Sequence, residues 1–254
     1  MGYVLETKDI RKTIEGKTIL DGVSLSVKEG EVLVILGPSG SGKTTFLRTL
    51  NFLNPADGGT ISIDGVTVDA ASYSGKDVLK LRRKTGMVFQ NYNLFQNRTV
   101  LQNITDGMTV VQKIKKDVAK EKALKLLEKV NLLDKADSYP CQLSGGQQQR
   151  VGICRALALE PKVILFDEPT SALDPELVGG VLATMRDVAA SGITMIVVTH
   201  EIRFAKDVAD TVVYMEDGKI VESGSPKEVL DKPEDQRTIR FLRSLLNDYS
   251  EYYI

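Results

Sequence analysis

The stretch Gly37-Pro38-Ser39-Gly40-Ser41-Gly42-Lys43-Thr44-Thr45 matches G-x-x-x-x-G-K-[ST] in full and follows the apolar run Val32-Leu33-Val34-Ile35-Leu36. Glycines let such a loop curl until backbone N–H groups converge on phosphate oxygens, and the helix that follows turns its positive end to the same point. Lys43 is then placed to reach β- and γ-phosphates, with the Thr44 hydroxyl a ligand for Mg²⁺. The pattern predicts binding of a nucleoside triphosphate. Downstream, Val163-Ile164-Leu165-Phe166-Asp167-Glu168 is an apolar strand ending in two adjacent carboxylates, at the strand end where parallel sheets place ligand chemistry. Successive side chains there point apart, so the two acids can serve different tasks. Asp167 is the expected Mg²⁺ partner, direct or through water. Glu168 is the candidate for polarising an attacking water, a role worth about 10²–10⁴ in rate. At Leu143-Ser144-Gly145-Gly146-Gln147 a Ser and two Gly open a helix and make a second anion-binding N-terminus.

Elements of an α/β fold must position these residues. Val32 to Leu36, Lys162 to Phe166 and Thr194 to Val198 are short β-branched and apolar runs, each followed by a turn or a helical pattern, which predicts a largely parallel sheet. Before and between them, Val4 to Ile10, Ser24 to Val27 and Thr60 to Ile63 followed by Asp64-Gly65 and Val66 to Val68 read as hairpin material, an N-terminal antiparallel β-subdomain. From Asn91 to Gln142 loop-like polar sequence gives way to an amphipathic helix with Val118, Ala119, Ala123, Leu126, Leu127 and Val130 on one face. This predicts a helical subdomain, about 91–159, inserted into a core of 1–90 and 160–254. Lys113, Lys115 and Lys116 read as a solvated face. After Pro233 a last helix carries Ile239, Phe241, Leu242, Leu245 and Leu246 on a docking stripe.

Composition narrows the classes. Of 254 residues, 33 Lys and Arg stand against 34 Asp and Glu, a net charge of −1. No overall cationic field is available to hold nucleic acid or anionic lipid. The two cysteines, Cys141 and Cys154, have neither C-x-x-C spacing nor the density of a disulfide scaffold, and are expected to be buried thiols in a reducing compartment. The longest strongly apolar run, Val32 to Leu36, is far short of the roughly 20 residues that span a bilayer.

Ser144 to Gln147, with Gln148-Gln149-Arg150 after it, resembles the signature motif of the ATP-binding cassette (ABC) ATPases. The resemblance runs from about Leu5 to Leu246 and implies a P-loop NTPase core that binds ATP and Mg²⁺. It implies a head-to-tail homodimer in which each ATP lies between the phosphate loop of one subunit and the signature of the other. Gln90, after Met87-Val88-Phe89, resembles the glutamine that senses γ-phosphate and Mg²⁺. Ser171-Ala172-Leu173-Asp174 resembles the loop that crosses the dimer interface. His200, the single histidine of the chain, resembles the switch histidine at the γ-phosphate. Family members usually carry an aromatic residue for adenine stacking; here the matching position is Ile14, and Tyr3 could substitute only in another strand register.

Phe89-Gln90-Asn91-Tyr92-Asn93-Leu94-Phe95, Tyr139-Pro140, Asp174-Pro175-Glu176-Leu177-Val178 and Ile239-Arg240-Phe241-Leu242 narrow the resemblance to importer ATPases for polar amino acids. That group implies integral membrane permease subunits as separate chains, an extracytoplasmic amino-acid-binding protein, and a peripheral place on the cytoplasmic face of the membrane. Tyr92, Leu94 and Phe95 are expected near the groove for the permease's coupling helix, or in subdomain packing. A single cassette of this length also resembles motors for cell division, lipoprotein release or iron–sulfur assembly.

Overall fold

The computed structural model describes residues 2–250, with side chains described to residue 245. Strands β1 (Tyr3–Ile14) and β2 (Lys17–Lys28) pair antiparallel around the Glu15-Gly16 turn, whose φ angles are 50° and 78°. The hairpin runs further than its apolar alternation suggests. Its tip residues, Arg11 to Ile14 and Lys17 to Ile19, are largely exposed, so the period-2 signal fades before the hydrogen-bond ladder does. β4 (Gly58–Ile63) and β5 (Val66–Asp69) meet at the Asp64-Gly65 turn, with φ positive at both residues as a tight hairpin requires. The antiparallel sheet has the order β2-β1-β4-β5.

The second sheet has the order β10-β9-β3-β8-β7-β6. β3 (Val32–Leu36), β6 (Thr85–Val88), β7 (Val163–Asp167), β8 (Thr194–Val198) and β9 (Thr211–Glu216) are parallel, and β10 (Lys219–Gly224) turns back along the edge. All residues of β3, β7 and β8 are buried, which is why they read as continuous apolar runs. Ile35 and Asp167 both pair with Val198, so the carboxyl ends of the three strands finish level. The loops after residues 36, 167 and 198 therefore leave from one edge.

Helices α1 (Lys43–Thr49), α2 (Gly75–Arg82), α3 (Val100–Asp106), α4 (Lys116–Lys129), α5 (Gly145–Ala158), α6 (Pro175–Ala190), α7 (Ile202–Val208) and α8 (Gln236–Ser250) surround the sheets. Leu33, Ile35, Leu165 and Val198 pack with Phe46 and the antiparallel sheet, while Val34, Leu36, Phe166 and Val197 pack with Met185 of α6 and Phe204 of α7. Alternation along each strand assigns the two faces. A third core, with Val100, Ile104, Met108, Ala119, Ala123, Leu127, Val151 and Cys154, is built mainly from helices. α3 stands where the sequence reads as loop; its signal is the capping box formed by Thr99 and Gln102.

Two expectations are corrected, on α4 and at Cys141, and one on α8 lies partly outside the described residues. Val118 is 54% exposed, because it sits about 100° round α4 from Ala119 and off the buried stripe. Cys154 is buried on α5, which pushes its thiol up to about 12, but Cys141 is exposed in the turn Pro140–Gln142. On α8, Leu242 is buried and packs with Phe241 against the second core, whereas the Leu246 side chain lies outside the described residues. No helix among the described residues is long and apolar enough to cross a membrane.

Candidate active site

The phosphate loop leaves the end of β3 and enters α1 at Lys43. Gly37 has φ 147°, and a Cβ there would overlap the Met215 carbonyl; Gly42 has φ 95°, and a Cβ there would lie 2.7 Å from the Ile19 oxygen. Only glycine fits both turns. Lys43 is buried and donates from Nζ to the carbonyls of Gly37 and Pro38, each at 2.8 Å, bridging the mouth of the loop. Burial is the largest influence on this amine and lowers its pKa, while the charges of Glu168 and Asp167 oppose that shift. The Ser41 hydroxyl is buried in the same loop without a hydrogen-bond partner among the described residues, a polar group available to a phosphate oxygen.

Ile14, Ile19, Ser39, Gly40, Gly42, Lys43, Thr44, Thr45 and Glu168 line a cleft of about 270 Å³ over this loop. The β1–β2 hairpin thus supplies Ile14 and Ile19 as an aliphatic part of the wall. Tyr3 sits at the other end of β1, opposite Lys28, so it does not replace Ile14.

Asp167 closes β7 with a side chain only 2% exposed. Its Oδ1 accepts from Thr44 Oγ1 at 2.7 Å, and its Oδ2 accepts from Arg48 Nε at 2.9 Å. No motif marks Arg48, although it stands one turn beyond Thr44 on the same face of α1. Glu168 follows in a left-handed conformation, φ 46°, its N–H donating to Val198 and its carbonyl accepting from Ser171 Oγ. That twist turns its carboxylate toward His200, whose Nε2 is 3.4 Å from Oε1. The His200 hydrogen bond lowers the Glu168 pKa, burial opposes it, and the charges of His200 and Lys43 assist. A carboxylate held ionised beside a phosphate cradle can accept a hydrogen bond from water.

Other expected residues stand apart from this cleft. Gln90 is half-buried just after β6, and no hydrogen bond of its side chain occurs among the described residues. Ser144 caps α5 by accepting from the Gln147 N–H, and Gln147 Oε1 accepts the Ser144 N–H in return. This box fixes the helix opening, with Gly145 and Gly146 in its first turn, yet none of the four residues lines the cleft. Asp174 begins α6, is exposed, and is likewise outside it. Of the three residues expected near a docking groove, Phe95 is 56% exposed and lines one of about 330 Å³ with Met87, Asn93 and Arg155. Leu94 is buried in the third core, and Tyr92 is half-buried against the same core with its hydroxyl on the Ala172 carbonyl, so both take the packing alternative. Gln149, in the run that follows the signature, is fully buried, donates from Nε2 to the Phe89 carbonyl at 3.1 Å, and leaves Oε1 without a partner among the described residues.

A parallel sheet that ends in a phosphate loop, two acids and a histidine, beside an inserted helical unit with a capped glycine start, defines a nucleotide-hydrolysing cassette. The family model described as ABC transporter matches residues 20–171. The probable amino-acid import ATP-binding protein YxeO of Bacillus subtilis is 52% identical over 242 residues, 95% of this chain and 97% of that protein. The L-cystine import ATP-binding protein TcyC of the same organism is 51% identical over 245 residues, 96% and 99%. An ATP-binding cassette solved as a dimer in a post-hydrolysis state with ADP and phosphate is 34% identical, with a TM-score of 0.77 over 87% of this chain and 98% of that one. The chain belongs to the ABC transporter family and is an ATPase of that family.

Proposed function

We propose that this chain is the ATP-hydrolysing motor of an importer for polar amino acids, acting as a head-to-tail homodimer on separate membrane subunits. One observation carries the reading: the chain has two phosphate-seeking helix starts, and only the one at Lys43 opens on the cleft that holds Glu168. The Ser144 start, capped on itself, is free to serve a nucleotide held by a second copy. The dimeric state of the related cassette and the amino-acid import role named for the relatives support the same reading.

In this arrangement residues 37–45 hold the ATP phosphates, with Lys43 turning from the loop carbonyls to the β- and γ-oxygens. Ser144, Gly145, Gly146 and Gln147 face the partner's nucleotide, and Asp174 borders it. Glu168 polarises the attacking water, and His200 orients Glu168 and contacts the γ-phosphate. Thr44 and Asp167 would hold Mg²⁺, since their oxygens converge at 2.7 Å, and Gln90 would join them once its segment closes on the cleft; the ion would neutralise phosphate charge there. The aliphatic wall of Ile14 and Ile19 offers the base apolar contact. Residues 1–90 and 160–254 act as the core and about 91–159 as the helical unit that moves on it. In this reading the groove at Phe95 takes a permease helix, and the chain works at the cytoplasmic face of the membrane with an extracytoplasmic binding protein beyond it.

Affinity purification from membranes tests this. The expected result is recovery of permease subunits whose ATPase activity rises with an amino-acid-loaded binding protein. Recovery solely with division, lipoprotein-release or iron–sulfur assembly components would overturn it.

A further inference from the structure

Tyr92 and Asn93 are consecutive non-glycine residues with φ 60° and 49°, a conformation that L-residues avoid unless their surroundings impose it. Arg155 of α5 does so, donating from its two terminal nitrogens to the Tyr92 carbonyl at 3.1 Å and the Asn93 carbonyl at 2.7 Å. With Gln149 on the Phe89 carbonyl, one helix grips the whole segment that contains Gln90. The left-handed pair throws the Tyr92 side chain back over the start of that helix. A Cβ on Gly145 would stand 2.6 Å from its hydroxyl and 3.0 Å from Leu173 Cδ2, so the absence of a side chain at Gly145 makes room for both. The hydroxyl then donates to the Ala172 carbonyl at 3.1 Å, joining segments 80 residues apart. Burial and the charge of Asp174 raise the phenol pKa, which keeps it a donor.

We propose that Tyr92 is a positioning residue: it ties the opening of the signature helix to the 171–174 loop, so that both meet the partner's nucleotide in one register. The proposal rests on the head-to-tail dimer reading. Neither Tyr92 nor Ala172 lines the cleft of its own chain, so the tie has no part in holding ATP on the monomer.

Tyr92→Phe keeps the ring and deletes the one hydrogen bond. The test places it in a Glu168→Gln background and measures the dimer dissociation constant with ATP by sedimentation equilibrium, beside the ATP affinity and melting temperature of the monomer. The bond lies within each subunit, so its loss reaches the dimer constant only through the register it holds. One neutral hydrogen bond corresponds to about a fivefold change in an equilibrium constant, and two subunits set a ceiling of about thirtyfold. Within that ceiling the dimer should weaken about tenfold, with ATP affinity of the monomer unchanged. An unchanged dimer constant overturns the proposal, as does a parallel fall in monomer ATP affinity, which marks a packing role. A Glu168→Gln parent that stays monomeric with ATP overturns the dimer reading itself.

Discussion

Arg48→Met removes a guanidinium that holds one oxygen of a buried acid. Asp167 is 2% exposed at its side chain, and Arg48 approaches its Oδ2 from Nε at 2.9 Å and from a terminal nitrogen at 2.8 Å. Thr44 retains Oδ1, so the variant leaves Oδ2 charged and without a donor. A hydrogen bond to a charged group is worth about 1.5–3 kcal/mol. The larger loss of about 3–5 kcal/mol for a fully buried pair does not apply, because the Arg48 side chain is 42% exposed and solvent screens it. Methionine keeps most of the aliphatic stem, so little packing is lost. The expected destabilisation is about 2 kcal/mol, a fall of about 4–8 °C in melting temperature for a chain of this size. A cycle of denaturant titrations on wild type, Arg48→Met, Asp167→Asn and the double variant, without nucleotide, isolates the pair. Coupling above about 1 kcal/mol is expected; additivity within about 0.5 kcal/mol would refute the role assigned to Arg48.

Lys43→Ala should weaken ATP binding at least about tenfold, since a charge-assisted contact to phosphate is lost; equal affinities by equilibrium titration would mean that the loop does not cradle the nucleotide. The Glu168 pKa is lowered on folding, so its ionised form adds stability above the ordinary value of 4.5, and that contribution is lost as pH falls through the depressed value. The stability difference between wild type and Glu168→Gln should therefore be flat at neutral pH and change only below about pH 4.5. In a His200→Ala background the hydrogen bond is gone, the Glu168 pKa moves back toward its ordinary value, and the change below about pH 4.5 should shrink. Superimposable curves would contradict the His200–Glu168 contact.

Much of this site was legible because its chemistry is local. Gly37 to Thr45 form one loop, and Asp167-Glu168 end one strand, so their spacing carries their geometry. The buried strands read as apolar runs because both of their faces are covered. What escaped depends on contacts far apart in the chain. Nothing around Arg48 announces that a residue 119 positions away needs a cation, and Tyr92 reads as one more aromatic near a groove until a left-handed backbone turns it to Ala172. Exposure behaves likewise: Cys141 and Val118 are apolar by type, but a turn and a helix face put them outside. α3 was legible in principle, through Thr99 and Gln102, yet its short length hid the periodicity.

The central claim is that Glu168 drives hydrolysis of an ATP that two subunits enclose. Steady-state turnover and sedimentation of Glu168→Gln test it together. ATP should still bind, turnover should fall by about a hundredfold or more, and ATP should shift the protein into a dimer. Hydrolysis at the wild-type rate would contradict it.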